Sequence, residues 1–213
     1  MRLLMTAGIA CDRDNISAFN CAYVAMSTKR SFSEALYILM NGTGVGFSNE
    51  RDVISKLPTI PTLAKCDDVI VVADSKKGWA VAFRKLMSSL WEGDIPTIDY
   101  DKIRPAGERL KTFGGRASGP QPLRNLFTFV TNTFEKAQGR KLNSLEVHDI
   151  VCMIGDIVVV GGVRRSALIG LSNLTDHRMR DAKTGQWYLP VQDGGNPHRM
   201  LANNSVCYTE KPD

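Results

Sequence analysis

Short apolar, β-compatible runs alternate along this chain with longer segments that carry apolar residues at helical spacing, and that alternation restricts the fold more than any other feature. Cys21–Ala25, Val69–Ala73, Ser166–Ser172 and Asn203–Thr209 read as strands. Between them lie three amphipathic stretches. Ser33 to Met40 has Leu36, Leu39 and Met40 on one stripe, with Ser33 as its cap. Gly78 to Trp91 aligns Phe83, Leu86, Met87, Leu90 and Trp91, and Pro122 to Gln138 aligns Leu123, Leu126, Phe127, Val130 and Phe134. Ser144 is placed to cap a further helix that runs to Val159 and stops at Gly161-Gly162. Strands separated by helices, and apolar on both faces, predict an α/β architecture around a covered, mostly parallel sheet.

Punctuation marks the connectors. Pro58 and Pro61 predict a loop, Pro96, Pro105 and Gly107 a second, and the polar stretch Asp176–Pro197 a surface hairpin or excursion. No repeat, low-complexity tract or linker divides the 213 residues, which are read as one domain, 1–213. Net charge is +5 and the basic residues are dispersed as isolated pairs, a pattern that suits small anions and argues against a nucleic-acid groove. The longest apolar run, Ile157–Val160, is too short to cross a bilayer, so no membrane association is expected. Five cysteines without a CxxC pair, and three dispersed histidines, give no metal-ligand spacing and point to a reducing, cytoplasmic setting.

Two loops carry the strongest chemical signal. Gly114-Gly-Arg-Ala-Ser-Gly-Pro120 and Gly161-Gly-Val-Arg-Arg-Ser-Ala167 each set a glycine pair beside arginine and a small hydroxyl residue. Glycine lets backbone N–H groups approach an anion, and arginine offers a planar fork that matches phosphate oxygens or a base edge. Gly42-Thr-Gly-Val-Gly46 resembles a dinucleotide fingerprint, but it follows a helix and opens an extended segment, the reverse of what that motif requires. It reads equally as a helix stop and as backbone donors held open for a phosphate. Asp74-Ser-Lys-Lys77 suits anion contact and a helix N-cap alike. Cys21 starts an interior strand, where a buried structural thiol is the ordinary outcome. Cys152 and Cys207 read as packing, and His148, between Glu146 and Asp149, as a solvated or capping residue.

The ordered stretches Arg13-Asp-Asn-Ile-Ser-Ala-Phe-Asn-Cys-Ala-Tyr-Val24, Leu39-Met-Asn-Gly-Thr-Gly-Val-Gly-Phe-Ser48, Asp74-Ser-Lys-Lys-Gly-Trp79 and Ile103-Arg-Pro-Ala-Gly107 carry a family resemblance. It continues through Leu110–Pro120, Gly161–Ala167 and Asn203-Asn-Ser-Val206. Together they resemble a ribonucleotide reductase of the adenosylcobalamin-dependent class. The resemblance implies an oxidoreductase on a ten-stranded α/β barrel, of which this chain would form the first part. It implies a ribonucleotide substrate, a deoxynucleoside triphosphate effector, a thioredoxin-type reductant and adenosylcobalamin as the radical source. Deoxynucleotide supply for DNA replication would be the outcome.

Carried over by position, Cys21 resembles one thiol of the reducing pair that becomes a disulfide. Asn20, Gly42, Thr43 and Gly44 match the segments that hold substrate phosphate and ribose. Gly114, Gly115, Arg116 and Ser118 fall in the first specificity loop; Gly161, Gly162, Arg164, Arg165 and Ser166 fall in the second, where effector binding would select the base. The family's Asn-x-Cys-x-Glu motif, with its radical cysteine, is absent from this sequence. The reading is therefore of a substrate- and effector-binding part, inactive alone, that needs the C-terminal half of the barrel as partner. A non-catalytic nucleotide-binding remnant and half of a di-iron-class reductase are the alternatives. A half barrel would expose a strand edge and an apolar face, so poor solubility or self-association is expected of the isolated chain.

Overall fold

The computed structural model describes residues 8, 11–12, 14–109, 116–160, 167–208 and 211, with backbone alone at 159–160. Two parallel sheets organise them. The larger has four strands in the order β1 (Cys21–Ala25), β2 (Gly44–Ser48), β5 (Leu168–Asn173) and β6 (Ala202–Cys207). The smaller pairs β3 (Ala64–Val71) with β4 (Asp94–Asp99). Parallel neighbours need a crossover, and helices supply it: α1 (Lys29–Met40) joins β1 to β2, and α3 (Lys76–Glu92) joins β3 to β4. A short helix α2 (Arg51–Ile54) follows β2, while α4 (Gln121–Lys136) and α5 (Ser144–Val160) precede β5. The one-turn α6 (His177–Arg180) and two 3₁₀ turns, Val191–Asp193 and Pro197–Leu201, fill the path to β6.

The parallel α/β reading holds, and several details differ. Each strand of the larger sheet has one covered face: Val24, Val45, Phe47, Leu168 and Ala202 are buried, whereas Tyr23 and Ile169 are 61% and 45% exposed. The expectation of strands buried on both faces is therefore corrected. β1 is an outer strand, not an interior one, because among the described residues it pairs with β2 alone. β3 begins five residues before the predicted run and is mostly exposed. Pro96 lies inside β4, a strand the proline had argued against. The Asp176–Pro197 stretch is a series of turns and not a hairpin.

Helix starts show why the boundaries moved. Thr28 caps α1 by accepting from Ser31 N–H, and Ser33 sits a full turn inside, donating instead to Arg30 C=O. Asn143 caps α5 in a reciprocal box: its Oδ1 accepts from Glu146 N–H while Glu146 Oε2 accepts from Asn143 N–H, both at 2.9 Å. Ser144 turns outward from that role to bond Asp176. Ser75 caps α3 through Gly78 N–H.

The helices share one core with the covered face of the larger sheet. Trp91 is its hub. The indole meets Phe134 edge-on at 4.8 Å, lies 5.9 Å from Phe32 and donates from Nε1 to Pro58 C=O. At the start of α3 the Ala73 carbonyl passes so close that a Cβ on Gly78 would sit 2.3 Å from its oxygen. This explains the glycine in Asp74-Ser-Lys-Lys-Gly-Trp79 by packing. Gly78→Ala should therefore lower stability by about 1–3 kcal/mol through overpacking, read as a fall in Tm. Gly46→Ala, whose Cβ would meet only Ala22 C=O at 3.8 Å, should leave Tm near the wild-type value.

Candidate functional site

All four strands of the larger sheet start at the same end. The register pairs Cys21 with Gly44, Val45 with Leu168, and Leu168 with Ala202, so the residues just before each strand meet along one rim. Asn20 C=O accepts from Gly44 N–H at 3.0 Å, and Ala167 C=O accepts from Val45 N–H at 2.9 Å. Gly42 makes the turn into β2 with φ +78°, the left-handed region that glycine enters without strain. A Cβ on Gly44 would lie 3.4 Å from Ala167 Cβ and O, in ordinary contact with the chain entering β5.

Thr43 ties this rim from below. It is fully buried, and its Oγ1 lies 3.0 Å from Ile16 C=O and 2.9 Å from Phe19 C=O, fixing the chain that leads to Asn20 and Cys21. Asn20 Nδ2 lies 3.7 Å from Cys21 Sγ. Tyr37 donates to Asp14 at 2.7 Å, Lys76 bridges Asn41 and Asp14, and Arg104 pairs with Asp74 at 2.6 Å. The separate sequence stretches that carried the resemblance are thus bonded to one another. Asn20, Cys21, Thr43 and Gly44 come together at this rim, and Cys21 is exposed instead of buried.

The loops divide differently. Arg116 bridges Arg109 and donates to Gly107 C=O at 2.9 Å, closing a small hairpin with Gly107 N–H to Ala117 C=O. Ser118 Oγ lies 3.3 Å from Gly119 C=O. Gly114, Gly115, Gly161, Gly162, Arg164, Arg165 and Ser166 lie outside the described residues. What can be placed is the frame of the second loop: α5 ends at Val160, and Ala167 enters β5 beside Gly44.

Sequence reasoning missed a polar cluster on the covered side of the sheet. His148 is completely buried, packs 5.8 Å from Phe47 and lies 3.1 Å from Asn204 Oδ1 through Nε2. It is neither solvated nor a cap. Asp149 receives a two-pronged contact from Arg199, Nε to Oδ1 at 2.7 Å and NH2 to Oδ2 at 2.6 Å. Burial opposes the Asp149 charge, but bonding to Arg199, His148 and His198 outweighs it and holds the carboxyl well below the usual carboxylate range. His198 Nε2 approaches Asp149 at 3.5 Å without a full hydrogen bond. Cys152 is buried beside His148, and burial followed by the Asp149 charge pushes its thiol pKa up, as suits packing. The sequence offers only two adjacent pairs, His148-Asp149 and His198-Arg199, with nothing local that joins them.

Two measurements test this geometry. With a thiol reagent, Cys21 should label first among the five cysteines and Cys152 last, because thiolate access governs the rate. Asp149, with its pKa depressed from 3.8, contributes stability that is complete above about pH 4 and lost as pH falls toward the folded-state value. Asp149→Asn should remove that acid-sensitive component. It should also cost about 3–5 kcal/mol at pH 7 by leaving Arg199 unpaired, as denaturant titrations at several pH values would show.

Residues 62–134, from just before β3 to near the end of α4, match the family described as B12-dependent ribonucleotide reductase, insertion domain. The adenosylcobalamin-dependent ribonucleoside-triphosphate reductase of Euglena gracilis is 31% identical over 202 residues, covering 88% of this chain and 26% of that protein. The enzyme of the same name from Lactobacillus leichmannii is 30% identical over 205 residues, covering 79% and 27%. A crystal structure of a B12-dependent (class II) ribonucleotide reductase superposes with a TM-score of 0.71 at 25% identity, covering 84% of this chain and 28% of that one. The chain spans about a quarter of the length of the relatives it matches. Among the described residues no helix is long and apolar enough to cross a membrane. With its parallel α/β sheet, the chain belongs to the B12-dependent (class II) ribonucleotide reductase family.

Proposed function

We propose that this chain supplies the substrate- and effector-binding portion of a cytoplasmic ribonucleotide reductase that replaces the 2′-hydroxyl of a ribonucleotide by hydrogen. The observation that carries the reading is the meeting of an exposed Cys21, Gly44 and Ala167 at one rim. The N–H groups of Gly42, Thr43 and Gly44 bond to Leu39, Ile38 and Asn20 carbonyls, so this turn shapes the rim and does not hold backbone donors open for a phosphate. Asn20, Gly42 and Thr43 shape that rim, and the glycines leave room for a ribose and phosphate to lie against backbone. Residues 161–166 and 114–119 are assigned to base selection under control of a deoxynucleoside triphosphate. The names of the relatives favour the adenosylcobalamin class over the di-iron class and a triphosphate substrate over a diphosphate.

Cys21 is one of two thiols that together give two electrons and two protons. The pair becomes a disulfide, the 2′-oxygen leaves as water and a hydrogen takes its place, after which a thioredoxin-type dithiol restores the thiols. Adenosylcobalamin, when bound, supplies the initiating radical. Surface clefts of about 240 and 280 Å³, beside Ser144 and Lys85, border neither Cys21 nor Gly44.

Purified reductase carrying this sequence, given adenosylcobalamin, CTP and dithiothreitol without oxygen, is expected to form dCTP. Cys21→Ser should bind CTP as wild type does and turn over at background. Undiminished turnover by Cys21→Ser would remove Cys21 from the reducing pair. Binding of CTP without turnover in any combination would instead favour a nucleotide-binding module.

A further inference from the structure

The cluster on the covered side of the sheet lies outside every residue assigned above, and its construction exceeds what stability requires. α5 is apolar nearly all round, with Val147, Ile150, Val151, Ile154 and Ile157 buried. Such a helix gains similar hydrophobic energy from several rotations and shifts, because burial is not directional. Directional bonds have to choose among them. Asp149 accepts both prongs of Arg199, and the same guanidinium donates from NH1 to Ala182 C=O at 2.8 Å, so its plane is fixed on two sides. Arg199 stands two residues before the end of the turn that feeds β6.

One helical position earlier, His148 makes the second connection. Its Nε2 reaches Asn204 inside β6, and its ring packs closely over Gly170 of β5. A Cβ there would lie 3.2 Å from His148 Cδ2 and 3.0 Å from Phe47 Cζ. The imidazole is thus keyed into a notch of the sheet, bonded to one strand and seated over its neighbour. Replacing a buried ion pair by well-packed apolar residues is often neutral or stabilising, so net stability is a weak reason for such a pair.

We propose that His148, Asp149 and Arg199 are positioning residues of the nucleotide site: they fix the rotation and height of α5 against β5 and β6, and with it the rim where Ala167 meets Gly44. The proposal rests on the nucleotide-site reading of that rim. It separates docking geometry from stability, and the double replacement Asp149→Leu with Arg199→Met separates the two experimentally.

CTP binding by the 213-residue chain is measured by calorimetry alongside Tm for wild type, Arg199→Met, Arg199→Lys and the double replacement. The double replacement should recover most of the Tm lost in Arg199→Met yet bind CTP about 3- to 30-fold more weakly than wild type, the range in which sites remote from a ligand act. Arg199→Lys, which keeps the charge and loses the fork, should bind more weakly than wild type and more tightly than Arg199→Met. A folded double replacement with wild-type affinity would overturn the proposal. Should that variant fail to fold, His148→Leu and His148→Gln decide. A folded His148→Leu with wild-type affinity overturns the proposal, and weakening that His148→Gln partly reverses supports it. If wild type binds no CTP, the nucleotide site itself is wrong and this proposal falls with it, an outcome distinct from every result among the variants.

Discussion

Parallel pairing obliges neighbouring strands to begin at the same end of a sheet, and the rest of this structure depends on that constraint. Residues 20, 44, 167 and 201 are far apart in sequence and precede or open four strands; the β1–β2–β5–β6 register draws them to one rim. Each crossover must then return the chain across the covered face, which is why α1 and α5 pack there and the opposite face keeps Cys21, Tyr23 and Ile169 exposed. A thiol at the first position of an outer strand is accessible because of topology and not because of any local loop. The same topology brings Ala167, the residue before β5, to that rim, where its carbonyl accepts from Val45 N–H of β2.

Side-chain bonding turns this arrangement into a rim of defined shape. Thr43 can hold the Ile16 and Phe19 carbonyls only if the Gly42 turn brings it beneath them, and Gly44 N–H and Val45 N–H are then spent on Asn20 C=O and Ala167 C=O. Lys76, at the start of α3, reaches the same region through Asn41 and Asp14. Since β3, α3, β4 and α4 make up most of the 62–134 unit, that unit is joined to the rim by Lys76 and to the rest of the core by Trp91, which meets Phe32 and Pro58. Disturbing its seating would therefore be felt at the Gly42–Gly44 turn.

Much of this was legible in the sequence, for reasons that can be named. The α4 stripe and the α3 stripe were found because amphipathic helices repeat every 3.6 residues over four or more turns, enough to average out single exceptions. The start of β1 was found because a short β-compatible run is flanked by polar residues. The burial of β1 and β3 was misjudged: an apolar run of five residues looks the same whether one face or two are covered. β4 was lost to Pro96, since a proline in an outer strand is tolerated where a central one is not. Caps moved by one to five residues because several hydroxyl residues compete at each helix start, and only the backbone direction decides among them.

The His148–Asp149–Arg199 cluster was illegible for a deeper reason. Charged residues in sequence look like surface, and what makes these interior is pairing across fifty residues, which no local pattern reports. An apolar helix such as α5 explains why the pairing is there. Hydrophobic burial drives α5 onto the sheet but is indifferent to a shift of a fraction of a turn, whereas a fork and an imidazole tolerate only a few tenths of an ångström. Where Ala167, at the entry to β5, must accept from Val45 N–H at 2.9 Å, such a shift would open the rim or close it. Placement, more than cohesion, is what the buried charges contribute.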